Sequence, residues 1–312
     1  MRTHRLAGLE DDNLLAFLAL LGLLRALSVS RVSWSPRAFF DGTPMRPLLR
    51  IASDASAEEI ATAAAAGCSA FAAQFAFGEF HDLTFDGTAA RRFLTAALRS
   101  DKGGMIASAL CSDAAVRENC RIEATPLCAM FGQGHQSFLD RLHNVSAGEL
   151  PRALKAKKSP PDLNDAGYIF RALFSPWQRK EPTESFRWDF EEDRRYALRF
   201  DDPSGDPATT EHGANRLAIL GLLSFQTAPR IGRRGARITL GTRGVSRGEK
   251  DRRVRITWPI WSLPTSMQSI HAMLDLPELG EDHPPFETLS AYSIRQLRRV
   301  RRISNGKYIS FT

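Results

Sequence analysis

Two stretches of the chain share one pattern, in which an asparagine opens an apolar run that contains a single glycine. The first is residues 13–24, with the glycine at Gly22, and the second is residues 215–223, with the glycine at Gly221. Asparagine suits the start of a helix, because its side-chain oxygen accepts hydrogen bonds from amides of the first turn. A glycine inside a helix costs roughly 1 kcal/mol against alanine, so we interpret each as a point where another backbone approaches closely. The pattern predicts two core helices, packed on a sheet or on each other.

The rest of the N-terminal half is mainly helical in pattern. Residues 56–76 open with Ser56 and two acids and continue as an alanine-rich segment, which is typical of a capped helix. In residues 88–98 the large apolar side chains fall on one side of a helix, which predicts a second helix, and a further short helix is predicted at residues 136–142. The exception is residues 31–34, Arg-Val-Ser-Trp, whose alternation predicts a short strand.

Alternation of large apolar and polar side chains characterises the C-terminal half. It predicts strands at residues 186–190 and 196–200, a hairpin of residues 237–240 with 254–258, and a strand-like tail at residues 293–311. Residues 266–274 are predicted to form a short helix. Two prolines and a basic cluster disfavour regular structure between residues 155 and 165, so we place a boundary there. The predicted fold class is α+β, with a helix-rich domain of residues 1–158 and a mixed α/β, strongly basic domain of residues 159–312.

Positive charge is concentrated near the C-terminal end of the sequence. Residues 230–312 hold 16 Lys or Arg against 7 Asp or Glu, whereas the remainder holds 26 against 28. Such an excess favours the binding of a polyanion. Nucleic acid is the usual one, because each phosphate neutralised by Lys or Arg releases counterions. The alternative is a solvated basic surface that only aids solubility.

The candidate nucleic-acid-binding residues are the basic side chains of two segments. In the first segment arginines alternate with glycines, which predicts a flexible cationic loop able to follow a phosphate backbone. The candidates are Arg230, Arg233, Arg234, Arg237, Arg243, Arg247, Lys250, Arg252, Arg253, Arg255, Arg298, Arg299, Arg301 and Arg302. Trp258 and Trp261 lie beside the first segment and could stack on bases, but we interpret them as core residues.

No group of residues in the sequence predicts catalysis. Cys120, Cys128, His135 and His143 have spacings that match no common zinc site. The acidic run at residues 189–193 adjoins two arginines, so we interpret it as a surface turn with local ion pairs rather than a metal site. Motifs of nucleotide-binding loops, metalloproteases and serine hydrolases are missing. We therefore predict no catalytic residue, no metal and no cofactor.

The cysteine content and the hydropathy indicate a cytoplasmic protein. The 4 cysteines lack the spacing of a disulfide framework, as in a reducing compartment. The apolar run at residues 14–24 is shorter than the roughly 20 residues that span a bilayer, and acids precede it where a signal peptide would have a basic flank. We expect a soluble protein without a membrane partner.

Three segments together resemble a known family. They are residues 6–25, which begin Leu-Ala-Gly-Leu-Glu-Asp-Asp-Asn, residues 187–198, with Arg-Trp-Asp and Glu-Asp-Arg-Arg-Tyr-Ala-Leu, and residues 213–218, Gly-Ala-Asn-Arg-Leu-Ala. These segments look like CRISPR-associated proteins encoded with type I-G, formerly I-U, effector operons. The resemblance implies a non-catalytic subunit of an antiviral effector complex, either large-subunit-like or accessory. Its implied partners are guide RNA or target DNA and other CRISPR-associated subunits.

Two alternatives of different classes stay open. A CRISPR-associated nuclease would need a general base or metal carboxylates, for which His135, His143 and the acidic run at residues 189–193 are the candidates. A structural interaction protein without nucleic acid would bind its partner with little dependence on salt.

Overall fold

The computed structural model describes residues 1–100, 102–129, 138–148, 164–181, 185–192, 209–231, 238–248, 253–305 and 308–312. The fold of these residues is α+β, as the sequence predicts. The helices are α1 Leu14–Ser30, α2 Ala57–Ala72, α3 Gly87–Ala97, α4 Gly103–Leu110, α5 Phe138–Ser146, α6 Asp165–Phe174, α7 His212–Leu222, α8 Met267–Leu274 and α9 Phe286–Ser290. The strands are β1 Arg2–Arg5, β2 Arg37–Asp41, β3 Arg46–Ile51, β4 Cys111–Val116, β5 Ile122–Ala124, β6 Thr227–Ile231, β7 Ile238–Thr242, β8 Val245–Arg247, β9 Val254–Trp261, β10 Ile294–Asn305 and β11 Tyr308–Phe311.

The strands form small antiparallel sheets. Three strands from the start of the chain make a sheet in the order β1-β3-β2, and four from the end make one in the order β11-β10-β9-β8. Two further sheets have two strands each, β4 with β5 and β6 with β7. The sheets surround a helical layer built on α1 and α7.

Helices α1 and α7 cross at their glycines. A Cβ atom on Gly22 would lie 1.8 Å from the carbonyl oxygen of Leu217, and one on Gly221 would lie 1.9 Å from the carbonyl oxygen of Leu18. Each glycine therefore admits the backbone of the other helix, because any side chain would overlap it. The predicted close approach is confirmed, and the two helices pack on each other.

The two asparagines have different roles. Asn13 caps α1, since its Oδ1 accepts a hydrogen bond of 3.2 Å from the amide of Ala16. Asn215, in contrast, lies inside α7, and its Nδ2 donates to Thr210 Oγ1 at 2.7 Å and to the carbonyl of Glu211 at 3.1 Å. The prediction that Asn215 begins a helix is wrong, because this side chain is buried and binds the segment before the helix.

Local signals located three of the other predicted helices well, whereas the helix predicted at residues 136–142 continues to Ser146 as α5. Ser56 and Glu59 form a capping box at the start of α2, and Ser266 caps α8. Helix α3 covers the predicted residues 88–98 to within one position at each end. The prediction of a strand at residues 31–34 is wrong, since Val32–Trp34 forms a 3-10 helix. An alternation of four residues is too short to decide between the two structures when no neighbouring strand pairs with it.

The predicted C-terminal strands have a mixed outcome. The tail is confirmed as β10 and β11, but the predicted hairpin is wrong, because β7 pairs with β6 whereas β9 pairs with β8 and β10. Residues 186–190 form no strand, although Phe186 and Trp188 are buried. Alternation there reflects burial on an irregular segment rather than strand pairing. Residues 196–200 lie outside the described part of the chain.

Trp258 and Trp261 are core residues, as the sequence analysis interpreted them. The ring of Trp258 stacks on Phe17 of α1 at 5.4 Å, and that of Trp261 meets the edge of Phe40 at 5.0 Å. Segments from both ends of the chain therefore share one hydrophobic core. The boundary predicted at residue 158 lies outside the described residues.

Helix α1 is long and strongly apolar, and the protein itself covers it. Thirteen of its 17 residues are buried, most of them against α7, α2 and the Trp258 side of β9. Within the described ranges, no helix is both long and apolar enough to cross a bilayer.

Candidate nucleic-acid interface

Nine of the fourteen candidate basic residues lie in the described part of the chain. They are Arg230, Arg243, Arg247, Arg253, Arg255, Arg298, Arg299, Arg301 and Arg302. The other five, Arg233, Arg234, Arg237, Lys250 and Arg252, lie outside it. The candidates within the described ranges differ in how far they are exposed and in which acceptors of the protein they bind.

Four of these arginines bind acceptors supplied by the fold. Arg243 Nε pairs with Asp275 at 2.7 Å, Arg255 pairs with Asp282, Arg298 Nε pairs with Asp11 at 2.8 Å, and Arg299 donates to the carbonyls of Leu279 and Glu281 at 3.1 and 2.8 Å. The bond from Arg255 also lowers the pKa of the Asp282 carboxyl below its ordinary value. Arg255, Arg298 and Arg299 hold the four-stranded sheet against neighbouring segments, and Arg243 holds the turn before β8 against the end of α8. The fold therefore already uses much of their capacity to donate.

A second group, which we call the arginine cluster, comprises Arg117, Arg247 and Arg302. In the strand register, Arg247 lies opposite Val254 and Arg301 lies opposite Arg255. Because neighbouring residues of a strand point to opposite faces, Arg302 lies on the same face of the sheet as Arg247, and the two are on either side of β9. Arg117 belongs to the turn between β4 and β5, where its amide donates to the carbonyl of Arg121 at 2.7 Å. The charges of Arg117 and Arg247 both act on Arg302, so the fold brings the three cations near one another.

The arginine cluster is electrostatically unfavourable in the free protein. Burial lowers the pKa of Arg302 below its ordinary value, and the charges of Arg117 and Arg247 lower it further, while Cys128 acts in the opposite direction. Arg302 is half-buried and donates to the carbonyl of Cys128 at 3.3 Å, whereas Arg117 and Arg247 are exposed. Because like charges at short range repel, an anion that binds between these guanidinium groups would relieve the repulsion.

Three more candidates are exposed near the cluster or on the β6–β7 hairpin. Arg301 lies next to Arg302 on the opposite face of β10, and Arg253 immediately precedes β9. Arg230 lies across Gly241 of the neighbouring strand, where a Cβ atom would be 2.2 Å from its Nε. The exposed arginines thus extend from the end of the four-stranded sheet to a separate hairpin.

Arg117 is a candidate that sequence reasoning missed. It lies in the half of the chain where positive and negative charges balance, so composition gives no signal there. Only the tertiary fold brings its charge near Arg302.

The interpretation of the acidic run at residues 189–193 as a surface turn is wrong. The side chain of Asp189 is buried, accepts from Asn13 Nδ2 at 2.8 Å, and pairs with Arg179 Nε at 2.6 Å. Arg179 also pairs with Glu191 at 2.7 Å. The ion pairs are present, but they belong to a buried polar cluster at the start of α1.

The same polar cluster extends to the start of α7. Glu192 accepts from the hydroxyls of Ser185 and Thr210, and Thr210 in turn accepts from Asn215. Segments 6–25, 187–198 and 213–218, which carry the family resemblance, therefore meet through Asn13, Asp189, Glu192 and Asn215. The bonds of Asn13 to Asp189 and of Glu192 to Thr210 join segments distant in sequence, which indicates a role in fixing the fold.

Glu192 should make stability depend on pH. Burial raises the pKa of its carboxyl to about 7 from an ordinary 4.5, although the bonds from Ser185 and Thr210 oppose this. The native state then binds the proton more tightly than the unfolded chain, so this group's stabilisation is complete below about pH 4.5 and is lost as the pH rises to about 7. The loss is on the order of 3 kcal/mol. We expect Glu192→Gln to flatten the fall in unfolding free energy over this range, measured by urea denaturation.

A matched control for this prediction is Glu191→Gln. Its carboxylate is 47% exposed and pairs with Arg179, so the substitution should leave the pH dependence nearly unchanged. Equal pH profiles for parent and Glu192→Gln would contradict the prediction.

Within the described ranges, no group of three or more side chains could hold a metal ion. Of the residues weighed as a zinc set, Cys128 is buried and Cys120 is exposed, while His135 lies outside those ranges. Burial raises the pKa of two other thiols, Cys68 and Cys111, to about 12, so both stay protonated at neutral pH. The thiols of Cys68 and Cys111 are structural.

The site therefore consists of arginines on a sheet end, a turn and a hairpin. Such a surface binds anions by charge and by the planar fork of each guanidinium group. Its identity has to come from its own geometry, because the chain matches no protein-family model and no curated protein is significantly similar to it.

Proposed function

We propose that the protein is a non-catalytic, nucleic-acid-binding subunit of a CRISPR effector complex in antiviral defence. Its arginines contact the phosphate backbone of guide RNA or target DNA, and its other partners are CRISPR-associated subunits. The complex is suggested by the resemblance of three segments to proteins of type I-G operons. Nucleic-acid binding has a separate basis in the arginines themselves.

The observation that carries nucleic-acid binding is the arginine cluster. Burial and two neighbouring cations lower the pKa of Arg302, and Arg117 and Arg247 expose their guanidinium groups beside it. A protein gains nothing in stability from such repulsion, whereas a phosphate placed among the three groups accepts charge-assisted hydrogen bonds from them. Exposed Arg301 and Arg230 add positions for successive phosphates of a strand.

The test is the salt dependence of binding after the exposed charges are removed. In the triple variant Arg230→Gln, Arg247→Gln, Arg301→Gln, affinity for a 20-nucleotide RNA and for a DNA duplex should fall for every sequence. The slope of log affinity against log salt should flatten by roughly 0.7 to 0.9 for each phosphate that the variant no longer neutralises. Fluorescence anisotropy between low and physiological salt measures both quantities.

The control variant removes the same charge elsewhere. Arg37, Arg50 and Arg99 are exposed outside the basic region, and their replacement by Gln should leave the slope near that of the parent. Equal slopes in all three proteins would contradict the proposal and favour the structural interaction protein. Probe cleavage in the presence of Mg²⁺ would instead favour the nuclease.

A further inference from the structure

The β6–β7 hairpin has one apolar face and one polar face. Its register pairs Pro229 with Leu240 and Ile231 with Ile238, and these side chains lie on one face because cross-strand partners and alternate residues share a face. Arg230 and its partner Thr239 lie on the other face. A two-stranded ribbon of this kind needs a partner for its apolar side.

The hairpin is bound to the rest of the protein at its base and at its middle. Thr227 Oγ1 donates to the carbonyl of Ser108 at 2.7 Å, and the amide of Leu240 donates to Glu123 at 2.7 Å. At the far end the side chains are uncovered, since Ile231 is 79% exposed and Ile238 is 43% exposed. The hairpin is therefore an anchored arm that carries two isoleucines side by side into solvent.

The charge around the hairpin selects the chemistry of the partner. No Asp or Glu occurs from residue 212 to residue 248, whereas this segment contains seven arginines. Three of these arginines lie in the six residues between the two strands, Gly-Arg-Arg-Gly-Ala-Arg. Exposed isoleucines beside the exposed Arg230 are complementary to a polyanion that also offers apolar surface, which describes nucleic acid with its phosphates and its base faces.

We propose that the hairpin inserts the Ile231 and Ile238 side chains between neighbouring bases of the bound nucleic acid. This inference rests on the proposed function and specifies how one element of the surface acts. Two adjacent isoleucines are too small to form the core of a stable protein interface, which buries about 800 Å² on each partner. They do match a single base step, where inserted aliphatic side chains unstack the bases while flanking arginines bind the phosphates.

The experiment uses 2-aminopurine, whose fluorescence rises when the base is unstacked. The probes are a 20-nucleotide RNA and a DNA duplex of the same length, each made as a set with the analogue at successive positions. Parent protein should raise the fluorescence at one or more positions. In Ile231→Ser, Ile238→Ser, the rise should disappear and affinity should fall about tenfold, while the salt slope stays that of the parent because no charge is removed.

A matched control replaces two other exposed apolar residues, Val32→Ser and Leu263→Ser, which are 74% and 59% exposed. This variant should bind and unstack the probes as the parent does. Both variants should have the melting temperature of the parent. A parent that binds with a steep salt slope but leaves every probe stacked would overturn the insertion and leave the proposed function standing. A parent that binds no probe would overturn both. A rise that survives in the isoleucine variant would also overturn the insertion.

Discussion

Gly22→Ala is expected to destabilise the protein by about 3 kcal/mol, at the upper end of the cost of overpacking a core. The added Cβ would lie 1.8 Å from the carbonyl oxygen of Leu217, and this oxygen belongs to the backbone of α7. A side chain could rotate away from such a contact, but a helix backbone can only move as a whole. The measurement is the free energy of unfolding from urea denaturation.

Gly221→Ala should have a similar effect, because its Cβ would lie 1.9 Å from the carbonyl oxygen of Leu18 in α1. The two substitutions act on one helix crossing, so once the first has separated the helices the second should cost less. The double variant should therefore lose less stability than the sum of the single variants.

Gly104→Ala is the control for helix propensity. Gly104 lies in α4, and its added Cβ would meet only the side chain of Leu98, at 3.0 Å. Alanine should be neutral or stabilising there by up to about 1 kcal/mol. Unchanged stability in both Gly22→Ala and Gly221→Ala would show that the helices do not cross at these positions.

Asp189→Ala should destabilise the protein by about 3 to 5 kcal/mol, the usual cost of removing one partner of a buried ion pair. The substitution leaves the guanidinium of Arg179 and the Nδ2 of Asn13 without the acceptor that they share, and Asn13 is itself fully buried. Arg179 keeps Glu191, which is 47% exposed and a weaker partner in solvent. Urea denaturation at neutral pH measures the loss.

The control for Asp189 is a carboxylate in an exposed pair. Asp113 pairs with Arg91, whose side chain is 77% exposed, so Asp113→Ala should cost at most about 1 kcal/mol. A loss at Asp189 no larger than that at Asp113 would mean that the polar cluster at the start of α1 does not fix the fold.

The sequence determined those elements whose signals are local. Ser56 and Glu59 cap α2 from three residues apart, and Asn13 caps α1 by a bond to Ala16, so chemistry within one turn was enough to start each helix. The unfavourable glycines of α1 and α7 predicted a close backbone contact, although the sequence left open whether the contact was with a sheet or between the two helices. The concentration of positive charge could be read directly as well.

Only the tertiary structure decided the strand pairing. The alternation of side chains in β7 is compatible with any antiparallel neighbour. The sequence analysis paired β7 with β9, whereas the backbone of β7 is hydrogen-bonded to that of β6. The pleat of a strand determines which side chains share a face, but packing against the rest of the chain determines which neighbour completes the ladder.

In the candidate site as well, the sequence determined one property of the β10 arginines and the tertiary structure determined another. Arg298 and Arg301 are three residues apart, so the strand period puts them on opposite faces. One face is covered by the start of α1, where Asp11, 287 residues away, pairs with Arg298, while Arg301 faces solvent. The two residues have the same side chain, and each follows an aliphatic residue and precedes another arginine, so their roles separate only when a distant carboxylate is brought near one of them. Composition predicted a cationic region, and long-range packing decided which of its charges remain available to a partner.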